Sequence, residues 1–513
     1  MLTFGTIMKQ NTDKYADKPA VIFRDTVHTY RELNSRANKL ANAFLSIGYK
    51  KGDKAAVLMK NHAAYVEMMI AFAKIGVVTV PINYRLVGAE IDYILQHSDS
   101  RALIITAEYA AEVSTLQSTL SKLDTVLVVD GAGELGMQDY EAFIAEAQDS
   151  EPWSDVEEID PFYIGYTSGT TGKPKGVVIS HRSRVLTGMT AAYEYKLDES
   201  DTHLVAGPIY HAAPWIFLVT QLLVGGTLVI HEMFRAEQVL ADIARHHITN
   251  TFLAPTMYNF LVNVSEEVKT QYDLSSMRVL ISAGSPLPTK TKQDVLAFFP
   301  GADLHEFYGS TESAITLNIK PKDIERKDRC VGRPFPLVDC MILTDDKEPV
   351  SQGEIGELYF KAPYLLDEYY KNPEATSMSF YNGYFTVGDM AMQDEEGLYY
   401  IVDRKKDMLI SGGVNIYPRE IEEVLYTHPH ILDAAVIGVP DPVWGESVKA
   451  VVVPRDGAQL TAEEVMEYCK GKIASYKRPK SVDFLDELPR NPSGKILKTV
   501  LRDQYWQDQQ AKI

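Results

Sequence analysis

The sequence predicts an α/β fold with a large N-terminal domain and a small α+β domain at the C-terminus. Strand-like apolar segments alternate with helical patterns up to about residue 400, as expected for βαβ units built around parallel sheets. The last hundred or so residues have shorter strands and helices, which indicates a separate small domain. A chain of 513 residues is long enough for roughly two to four domains with a sizeable core.

Local signals define the elements of the first region, which extends to about residue 150. Thr29 and Glu32 have the spacing of a capping box. The helix that follows has an apolar face made of Leu33, Ala37, Leu40, Ala41 and Phe44. A helix over residues 62–74 should end at Gly76, because glycine commonly terminates helices. Strands are predicted at 55–59, 77–81, 101–106 and 125–129, and we assign the region to the scaffold.

Two polar segments are candidates for domain borders. Residues 151–159 are acidic and predict a linker into the motif described below. The charged run 403–407 precedes the small C-terminal domain, although such a run is usually a solvated turn. We therefore predict domains at 1–403 and 404–513.

Charge and cysteine usage exclude several classes of protein. The formal net charge of −19 argues against a nucleic-acid or anionic-membrane partner, since those surfaces need excess lysine and arginine. Cys330, Cys340 and Cys469 form neither a metal-ligand spacing nor a disulfide framework, which indicates a reducing compartment.

The N-terminus and one apolar stretch are the candidates for a secretory signal and a membrane span. Residues 1–14 lack the apolar core of a secretory signal. Residues 212–230 are uncharged and approach the length of a membrane span. Pro214, Gln221 and the pair Gly225-Gly226 instead favour a buried helix, a turn and a strand. We expect a cytoplasmic protein without a transmembrane segment.

The segment Tyr166–Gly176 is the strongest chemical motif. It has three glycines, four aliphatic hydroxyls and two lysines between strand-like segments at 162–166 and 177–179. Glycine lets successive N–H groups converge on an oxyanion, and the lysines add positive charge. A polar hairpin turn is the alternative, although turns rarely need so many hydroxyls. The loop G-x-x-x-x-G-K-[ST] is excluded, because Pro174 follows Lys173 and Thr167 replaces the first glycine.

This segment closely resembles the signature loop of the acyl-adenylate-forming enzymes, which include acyl-CoA synthetases, 4-coumarate ligases, luciferases and the adenylation domains of peptide synthetases. The resemblance implies a β-barrel-like subdomain within the N-terminal domain and a mobile C-terminal domain. It also assigns binding of the ATP phosphates to Thr167, Ser168, Gly169, Thr170, Thr171 and Lys175.

The segment Phe307–Glu312 is similar to the Tyr-Gly-x-Thr-Glu segment of the family. The similarity implies that Tyr308 stacks on adenine, that Thr311 binds a phosphate oxygen and that Glu312 ligates Mg²⁺. An aromatic face suits a base, and magnesium takes one or two carboxylates beside phosphate oxygens. A helix start capped by Thr311 would explain the same residues.

Two shorter segments resemble other parts of the nucleotide site. The turn at 282–286 is similar to the family turn against adenine and supplies Gly284 and Ser285, with an ordinary loop as the alternative. Asp389 matches the family aspartate that accepts hydrogen bonds from both ribose hydroxyls, with a solvated turn aspartate as the alternative. Val387 departs from the family pattern, because a threonine is expected there.

The segment 401–422 and the loop 489–495 carry the remaining motifs of the family. By resemblance, Arg404 contacts ribose or phosphate and Lys406 is the hinge. Ser411, Gly412 and Gly413 would line a pantetheine channel, since glycine permits the close approach of a thin ligand. Lys495 is the catalytic lysine by resemblance, a point charge between the carboxylate and the α-phosphate. Acetylation of Lys495, as in some relatives, would neutralise that charge.

The acyl pocket is expected near residues 208–215. His211 matches the Pro-x-x-His pattern of the family and is a candidate catalytic residue. Trp215 stands where some long-chain fatty acyl-CoA synthetases have a gating tryptophan, although a core tryptophan is an equal alternative. Ala283 and Gly309 would be the small walls of the pocket.

Together these motifs imply an ATP- and Mg²⁺-dependent acid–thiol ligase that forms acyl-AMP and transfers the acyl group to coenzyme A. A medium- or long-chain fatty acid is the expected substrate, and an aromatic propenoic acid such as coumarate or ferulate is second. A carrier-protein-loading adenylation enzyme, a luciferase-like oxidative enzyme and a non-catalytic nucleotide-binding scaffold are the alternatives. The oligomeric state stays open, including a homodimer.

Overall fold

A computed structural model describes residues 2–117, 122–131, 136–167, 173–412, 414–490 and 496–506. The chain forms two compact units, of which the first comprises Met1–Cys340 and Phe360–Phe385 and the second Met341–Tyr359 and Thr386–Ile513. The fold is mixed α/β with a large N-terminal and a smaller C-terminal domain, as predicted. The border at 403/404 stays a prediction. It lies next to a proposed hinge, whereas the two compact units are defined by how the residues pack.

Helices and strands alternate along the first unit. Its helices are α1 Phe4–Tyr15, α2 Tyr30–Ser46, α3 Ala63–Ile75, α4 Gly88–Ser98, α5 Ala110–Gln117, α6 Tyr140–Ala145, α7 His181–Tyr195, α8 Ala212–Val224, α9 Ala236–His246, α10 Pro255–Val262, α11 Glu266–Lys269, α12 Thr289–Phe298, α13 Pro321–Ile324 and α14 Pro373–Met378. Its strands are β1 Pro19–Phe23, β2 Thr26–Thr29, β3 Lys54–Leu58, β4 Val78–Pro81, β5 Ser100–Thr106, β6 Thr125–Val129, β7 Gln138–Asp139, β8 Pro161–Thr167, β9 Lys175–Ser180, β10 Thr202–Val205, β11 Thr227–Ile230, β12 Asn250–Leu253, β13 Val279–Ser282, β14 Asp303–Ser310, β15 Ala314–Ile319 and β16 Cys330–Pro334.

The remaining strands begin where the chain passes between the units. They are β17 Asp339–Leu343, β18 Gly356–Lys361, β19 Glu368–Tyr369, β20 Phe380–Tyr381, β21 Tyr384–Phe385, β22 Asp389–Gln393, β23 Tyr399–Arg404, β24 Leu409–Ser411, β25 Val414–Ile416, β26 Ile431–Asp441, β27 Gly445–Pro454 and β28 Ser481–Phe484. The helices of the second unit are α15 Pro418–Tyr426, α16 Ala462–Tyr468 and α17 Lys498–Trp506.

Two sheets organise the first unit. One runs β2-β1-β11-β10-β12-β13-β14-β15-β16 and is parallel from β1 to β14. The other runs β19-β9-β8-β4-β3-β5-β6-β7 and is parallel from β8 to β7. The central strands β12 and β13 are buried along their whole length, as expected where helices cover both faces of a sheet. The predicted βαβ organisation is therefore confirmed.

The predicted local signals are also present. Thr29 and Glu32 form the capping box of α2, whose five predicted core residues are buried. Helix α3 ends at Gly76, which has a left-handed φ of 71°. Residues 212–230 form α8, a turn at Gly225 and β11. Within the described residues, no helix has both the length and the apolar character to cross a membrane.

In the second unit, β26 and β27 form a long antiparallel pair at the centre of the sheet β25-β24-β27-β26, with β28 beside β27. Its core is apolar and includes Leu409, Ile421, Val436 and Val448. The charged run 403–407 is not wholly a solvated turn, because Asp403 is buried and accepts hydrogen bonds from the backbone N–H groups of Arg404 and Arg419.

Candidate active site

The predicted phosphate loop joins two antiparallel strands of the first unit. Strands β8 and β9 pair up to Thr167 opposite Lys175, and Ser168 to Gly172 lie outside the described residues. The hydroxyl of Tyr166 lies 2.8 Å from Nδ1 of His97, which fixes the aromatic ring at the end of β8. The ends of the loop are thus held by a regular hairpin.

Glu312, the predicted Mg²⁺ ligand, lies in a turn close to this hairpin. Its Oε1 accepts a 2.9 Å hydrogen bond from the hydroxyl of Tyr369, and the carboxylate is buried. Nζ of Lys175 lies 4.9 Å from the centroid of the same tyrosine ring. Burial and the neighbouring Glu312 raise the pKa of Tyr369, so the phenol stays a donor at neutral pH.

Thr311 and Gly165 explain how this turn approaches strand β8. A Cβ at Gly165 would lie 3.1 Å from Cγ2 of Thr311 and 3.0 Å from Cε2 of Tyr163. The missing side chain therefore allows the Thr311 turn to pack directly on the strand that leads into the phosphate loop. Sequence reasoning missed Gly165 and Tyr369, since Tyr369 acts through the pairing of β19 with β9, which no local motif reveals.

Tyr308 and Gly309 lie at the end of β14, and a turn connects this strand to β15. The alternative of a helix capped by Thr311 is therefore wrong. A β-bulge falls between Tyr308 and Gly309, and a Cβ at Gly309 would lie 1.8 Å from the carbonyl oxygen of Ala314. The hairpin itself thus requires glycine here, and the role of Gly309 as a wall of the acyl pocket stays a prediction.

The turn that follows β13 carries three predicted residues. Gly284 has a φ of +94°, which glycine adopts readily, and both Gly284 and Ser285 are exposed. Ala283 is buried in an apolar cluster, here named the Phe217 cluster, whose members include Ala191, Tyr195, Ile216, Phe217, Phe252 and Phe307. The predicted adenine turn therefore borders an apolar region.

His211 precedes helix α8 and lies against the ring of Tyr210, with 4.3 Å between ring centroids. Burial lowers the pKa of His211 to about 4, and the positive charge of Arg85 acts in the same direction. The imidazole is therefore neutral near pH 7 and can donate or accept one hydrogen bond without carrying charge.

Trp215 is fully buried on α8. Its ring stacks on Tyr163 at 4.8 Å and contacts Phe162 at 5.5 Å between centroids. This placement agrees with the core interpretation, and the gating role stays a prediction.

In the second unit, Asp389 and Arg404 are cross-strand partners on β22 and β23. Nε of Arg404 lies 3.4 Å from Oδ1 of Asp389, and the aspartate is buried. The two residues predicted to contact ribose and phosphate therefore lie side by side.

Lys406 and the glycine turn follow β23. The carbonyl oxygen of Lys406 accepts a 3.2 Å hydrogen bond from Nη1 of Arg502. Gly412, with a φ of +58°, donates its N–H to the carbonyl of Trp444 at 2.8 Å, and a Cβ at Gly412 would lie 2.7 Å from Cε3 of that ring. Ser411 ends β24, whereas Gly413 lies outside the described residues.

Lys495 also lies outside the described residues, but the chain on either side of it is placed. Arg490 and Ile496 form an antiparallel bridge, and the N–H of Leu497 donates to the carbonyl of Pro489 at 2.8 Å. Lys498 then forms a 2.7 Å ion pair with Glu422, so the segment after Lys495 is anchored in the small domain.

The described residues contain no group of three His, Cys, Asp or Glu side chains that could hold a metal ion. The buried carboxylate of Glu312 suits a magnesium ion that takes most of its ligands from phosphate oxygens and water. The residues present thus fit a nucleotide-bound cation.

Comparisons with known proteins define the class of this site. Residues 8–370 match the model of the AMP-binding enzyme family, and residues 420–495 match the model of the AMP-binding enzyme C-terminal domain. The chain therefore belongs to the AMP-binding enzyme family.

Individual relatives narrow the activity. The chain is 37% identical to a feruloyl-CoA synthase of Amycolatopsis sp., over 95% of this chain and 96% of that protein. It is 36% identical to the long-chain-fatty-acid–CoA ligase FadD13 of Mycobacterium tuberculosis, over 94% of each chain. The crystal structure of ATP-bound MatB from Rhodopseudomonas palustris superposes with a TM-score of 0.87 and 28% identity, covering 98% of this chain and 99% of that one. The protein is an AMP-forming acid–CoA ligase.

Proposed function

We propose that the substrate is an acid with an elongated apolar body, and in the first place a medium- or long-chain fatty acid. The observation that carries this proposal is the Phe217 cluster, which is apolar, includes Ala283 and adjoins the exposed turn at Gly284. An acyl chain that enters this cluster would bury its own methylene groups. Each buried methylene group contributes about 0.8 kcal/mol of favourable binding free energy. The relationship to FadD13 supports the same choice.

The reaction needs no general base, because the acid is already an anion at neutral pH. Its carboxylate oxygen attacks the α-phosphate of ATP to give acyl-AMP and pyrophosphate, and the thiol of coenzyme A then displaces AMP. Catalysis of the first step is positioning and charge neutralisation. A magnesium ion at Glu312 would supply positive charge to the phosphates.

The residues of this chain have separate duties in the proposal. Thr167, Lys175 and Thr311 bind phosphate oxygens, together with Ser168 to Thr171, and Tyr308 stacks on the base beside Gly284 and Ser285. Asp389 and Arg404 bind the ribose, and the side-by-side arrangement on β22 and β23 supports this pairing. Lys495 places its ammonium group between carboxylate and α-phosphate.

The thiol step uses other groups. Ser411 to Gly413 would accept the pantetheine arm, with Lys406 as the hinge. The neutral imidazole of His211 can hydrogen-bond the acid without competing with Lys495 for its charge.

An aromatic propenoic acid is the second candidate. Phe217 and Phe252 stack at 5.3 Å between centroids with planes only 13° apart, which is a surface that suits a flat ring. The identity to the feruloyl-CoA synthase supports this candidate.

A substrate panel tests the proposal. Saturated fatty acids of increasing length and a set of cinnamic acids are assayed for AMP release with ATP, Mg²⁺ and coenzyme A. The proposal expects the highest kcat/KM for a medium or long fatty acid. A higher value for the cinnamic acids at every chain length would overturn it in favour of the second candidate.

A further inference from the structure

Arg184 is a buried cation without an anionic partner. It lies in the first turn of α7 with 1% of its surface exposed. Nη2 donates to the hydroxyl of Tyr163, and the guanidinium carbon lies 4.9 Å from the centroid of that ring. Nε and Nη1 have no hydrogen-bond partner, and no carboxylate of the described residues forms an ion pair with Arg184.

Three other lysines of the described residues that are buried or largely buried are paired. Lys74 contacts Glu151 at 2.7 Å, Lys292 contacts Glu306 at 2.8 Å and Lys498 contacts Glu422 at 2.7 Å. Burial lowers the pKa of Arg184, but a guanidinium keeps its charge in proteins and offers five donors. Burying such a group without an anion is costly, so a partner from outside the chain is expected.

Neighbouring side chains supply further hydrogen-bond donors close to Arg184. Nε1 of Trp215, which can only donate, is buried beside the hydroxyl of Tyr65, and neither atom makes a well-aligned hydrogen bond. The ring of Trp215 stacks on Tyr163, the residue that Arg184 contacts, and lies 6.3 Å from the ring of Tyr65. This region therefore has more donors than acceptors and suits an oxygen acceptor.

The helix places Arg184 at one end of the proposed acyl pocket. Arg184, Ala191 and Tyr195 share one face of α7, since they are seven and eleven residues apart. Ala191 and Tyr195 belong to the Phe217 cluster, as does Ile216, the neighbour of Trp215. Because the indole nitrogen makes no well-aligned hydrogen bond, displacing the ring of Trp215 would break at most its weak polar contact with Tyr65.

We propose that Arg184 binds a second oxyanion at the far end of the acid, so that the preferred substrates are dicarboxylic acids with an apolar middle. This inference rests on the proposed function, because the body of the acid occupies the Phe217 cluster. The inference specifies the chemical group at the end of the acid opposite the reacting carboxylate, which the proposed function does not specify. Trp215 separates the two regions and moves aside when the acid enters.

Wild-type protein gives the first test. Each α,ω-dicarboxylic acid is compared with the monocarboxylic acid of equal chain length in the AMP-release assay. We expect kcat/KM to be at least about tenfold higher for the diacid at the best length, since a buried donor site rejects analogues that leave it unpaired. Equal or higher values for every monoacid overturn the inference while leaving the fatty-acid proposal intact. Activity with cinnamic acids alone overturns both.

Variants locate the effect. Arg184→Met should lose the preference for diacids and keep or raise activity with monoacids, whereas Arg184→Lys should retain part of the preference. Arg182→Met is the matched control, because Arg182 lies on the same helix but is exposed. If Arg184→Met only raises the KM for ATP, Arg184 binds a phosphate of ATP and the inference is wrong. If the variant loses activity equally with all acids, Arg184 binds the reacting carboxylate and the inference is also wrong.

Thermal unfolding provides a readout that does not require turnover. The best diacid should raise the Tm of the wild-type protein, since a ligand of the folded state stabilises it. The diacid should not raise the Tm of Arg184→Met, and without ligand this variant should unfold at the same or a higher temperature, because an unpaired buried charge has been removed. Equal diacid shifts in both proteins would contradict the assignment.

Discussion

At the scale of single residues, the environment of Glu312 is compatible with its proposed role as the magnesium ligand. The hydroxyl of Tyr369 donates a hydrogen bond to one oxygen of Glu312, and Nζ of Lys175 lies over the ring of the same tyrosine. The carboxylate is buried without a direct ion pair to a lysine or arginine in the described residues. Its charge is therefore available to a metal ion.

Replacing Glu312 by glutamine tests this role. Glu312→Gln keeps the shape but removes the charge, so we expect adenylate formation to fall by about 10²-fold or more, which corresponds to about 3 kcal/mol of transition-state stabilisation. Pyrophosphate release in the absence of coenzyme A measures this step. Tyr369→Phe should cause a smaller loss, and Glu374→Gln, an exposed residue of α14, should cause none. A normal rate for Glu312→Gln would end its assignment as the metal ligand.

Buried histidines should make the free energy of unfolding of the first unit depend on pH in the acidic range. His203 is fully buried against Asn250, and burial lowers its pKa to about 4. The unfolded chain binds this proton near pH 6.5, so the free energy of unfolding decreases as the pH falls from about 6.5 to 4. The loss attributable to His203 amounts to about 3 kcal/mol at the lower limit.

The His203→Gln variant should therefore lose less stability than the wild type over that range of pH. Urea unfolding at a series of pH values gives the difference, and His247→Gln, at an exposed position, serves as the control. Parallel pH profiles for His203→Gln and the wild type would contradict the assigned proton linkage.

Much of the candidate site is readable from the sequence because its residues cluster in short motifs. Asp389 and Arg404, by contrast, meet through the neighbouring strands β22 and β23, whose pairing the motifs do not state. Arg184 and Tyr369 belong to no motif, since each acts through an element distant in the chain. Local sequence patterns identify residue types, whereas a buried charged group that lacks an ion-pair partner can be recognised only in the three-dimensional structure.

At the scale of elements, the hairpin of β14 and β15 is built around one close backbone contact. The bulge at Gly309 and the left-handed conformation of Ala314, with a φ of 57°, bring the two strands together. This geometry positions Tyr308 on one side of the turn and Glu312 within it.

The Gly309→Ala variant should therefore destabilise the protein. The added methyl group would overlap the carbonyl of Ala314, and the strands would have to separate, at a cost of about 3 kcal/mol. Gly88→Ala is the control, because its nearest contact would be 3.7 Å at the start of α4. Thermal unfolding compares the two. Unchanged stability with an altered preference for acids would instead assign Gly309 to the acyl pocket alone.

Elements with strong local signals, such as α2 and α3, are predicted well because capping and apolar periodicity are contained within one segment. The turn at Thr311 is different. Its sequence is compatible with a helix cap, and only the pairing of β14 with β15 decides the conformation.

At the scale of the whole molecule, the predicted hinge at Lys406 implies that the two half-reactions need different residues. Lys495 should act only while acyl-AMP is being formed, since its charge neutralises the carboxylate and the α-phosphate as they approach. We propose that thioester formation, which breaks the bond to AMP, uses the segment around Gly412 instead. If Lys495 serves only the first half-reaction, as proposed, a mutation of this lysine should separate the two half-reactions.

For Lys495→Ala, we expect formation of acyl-AMP from acid and ATP to fall by about 10²-fold or more. Conversion of supplied acyl-AMP to acyl-CoA should be largely retained, because no ammonium group is needed to neutralise an adenylate that already exists. Rapid-quench assays of each step give the two rates, and Lys470→Ala, at an exposed position of the small domain, is the control. Circular dichroism and the Tm establish that the variant is folded. Equal losses in both steps would show that one arrangement of residues performs the whole reaction and that Lys406 is not a functional hinge.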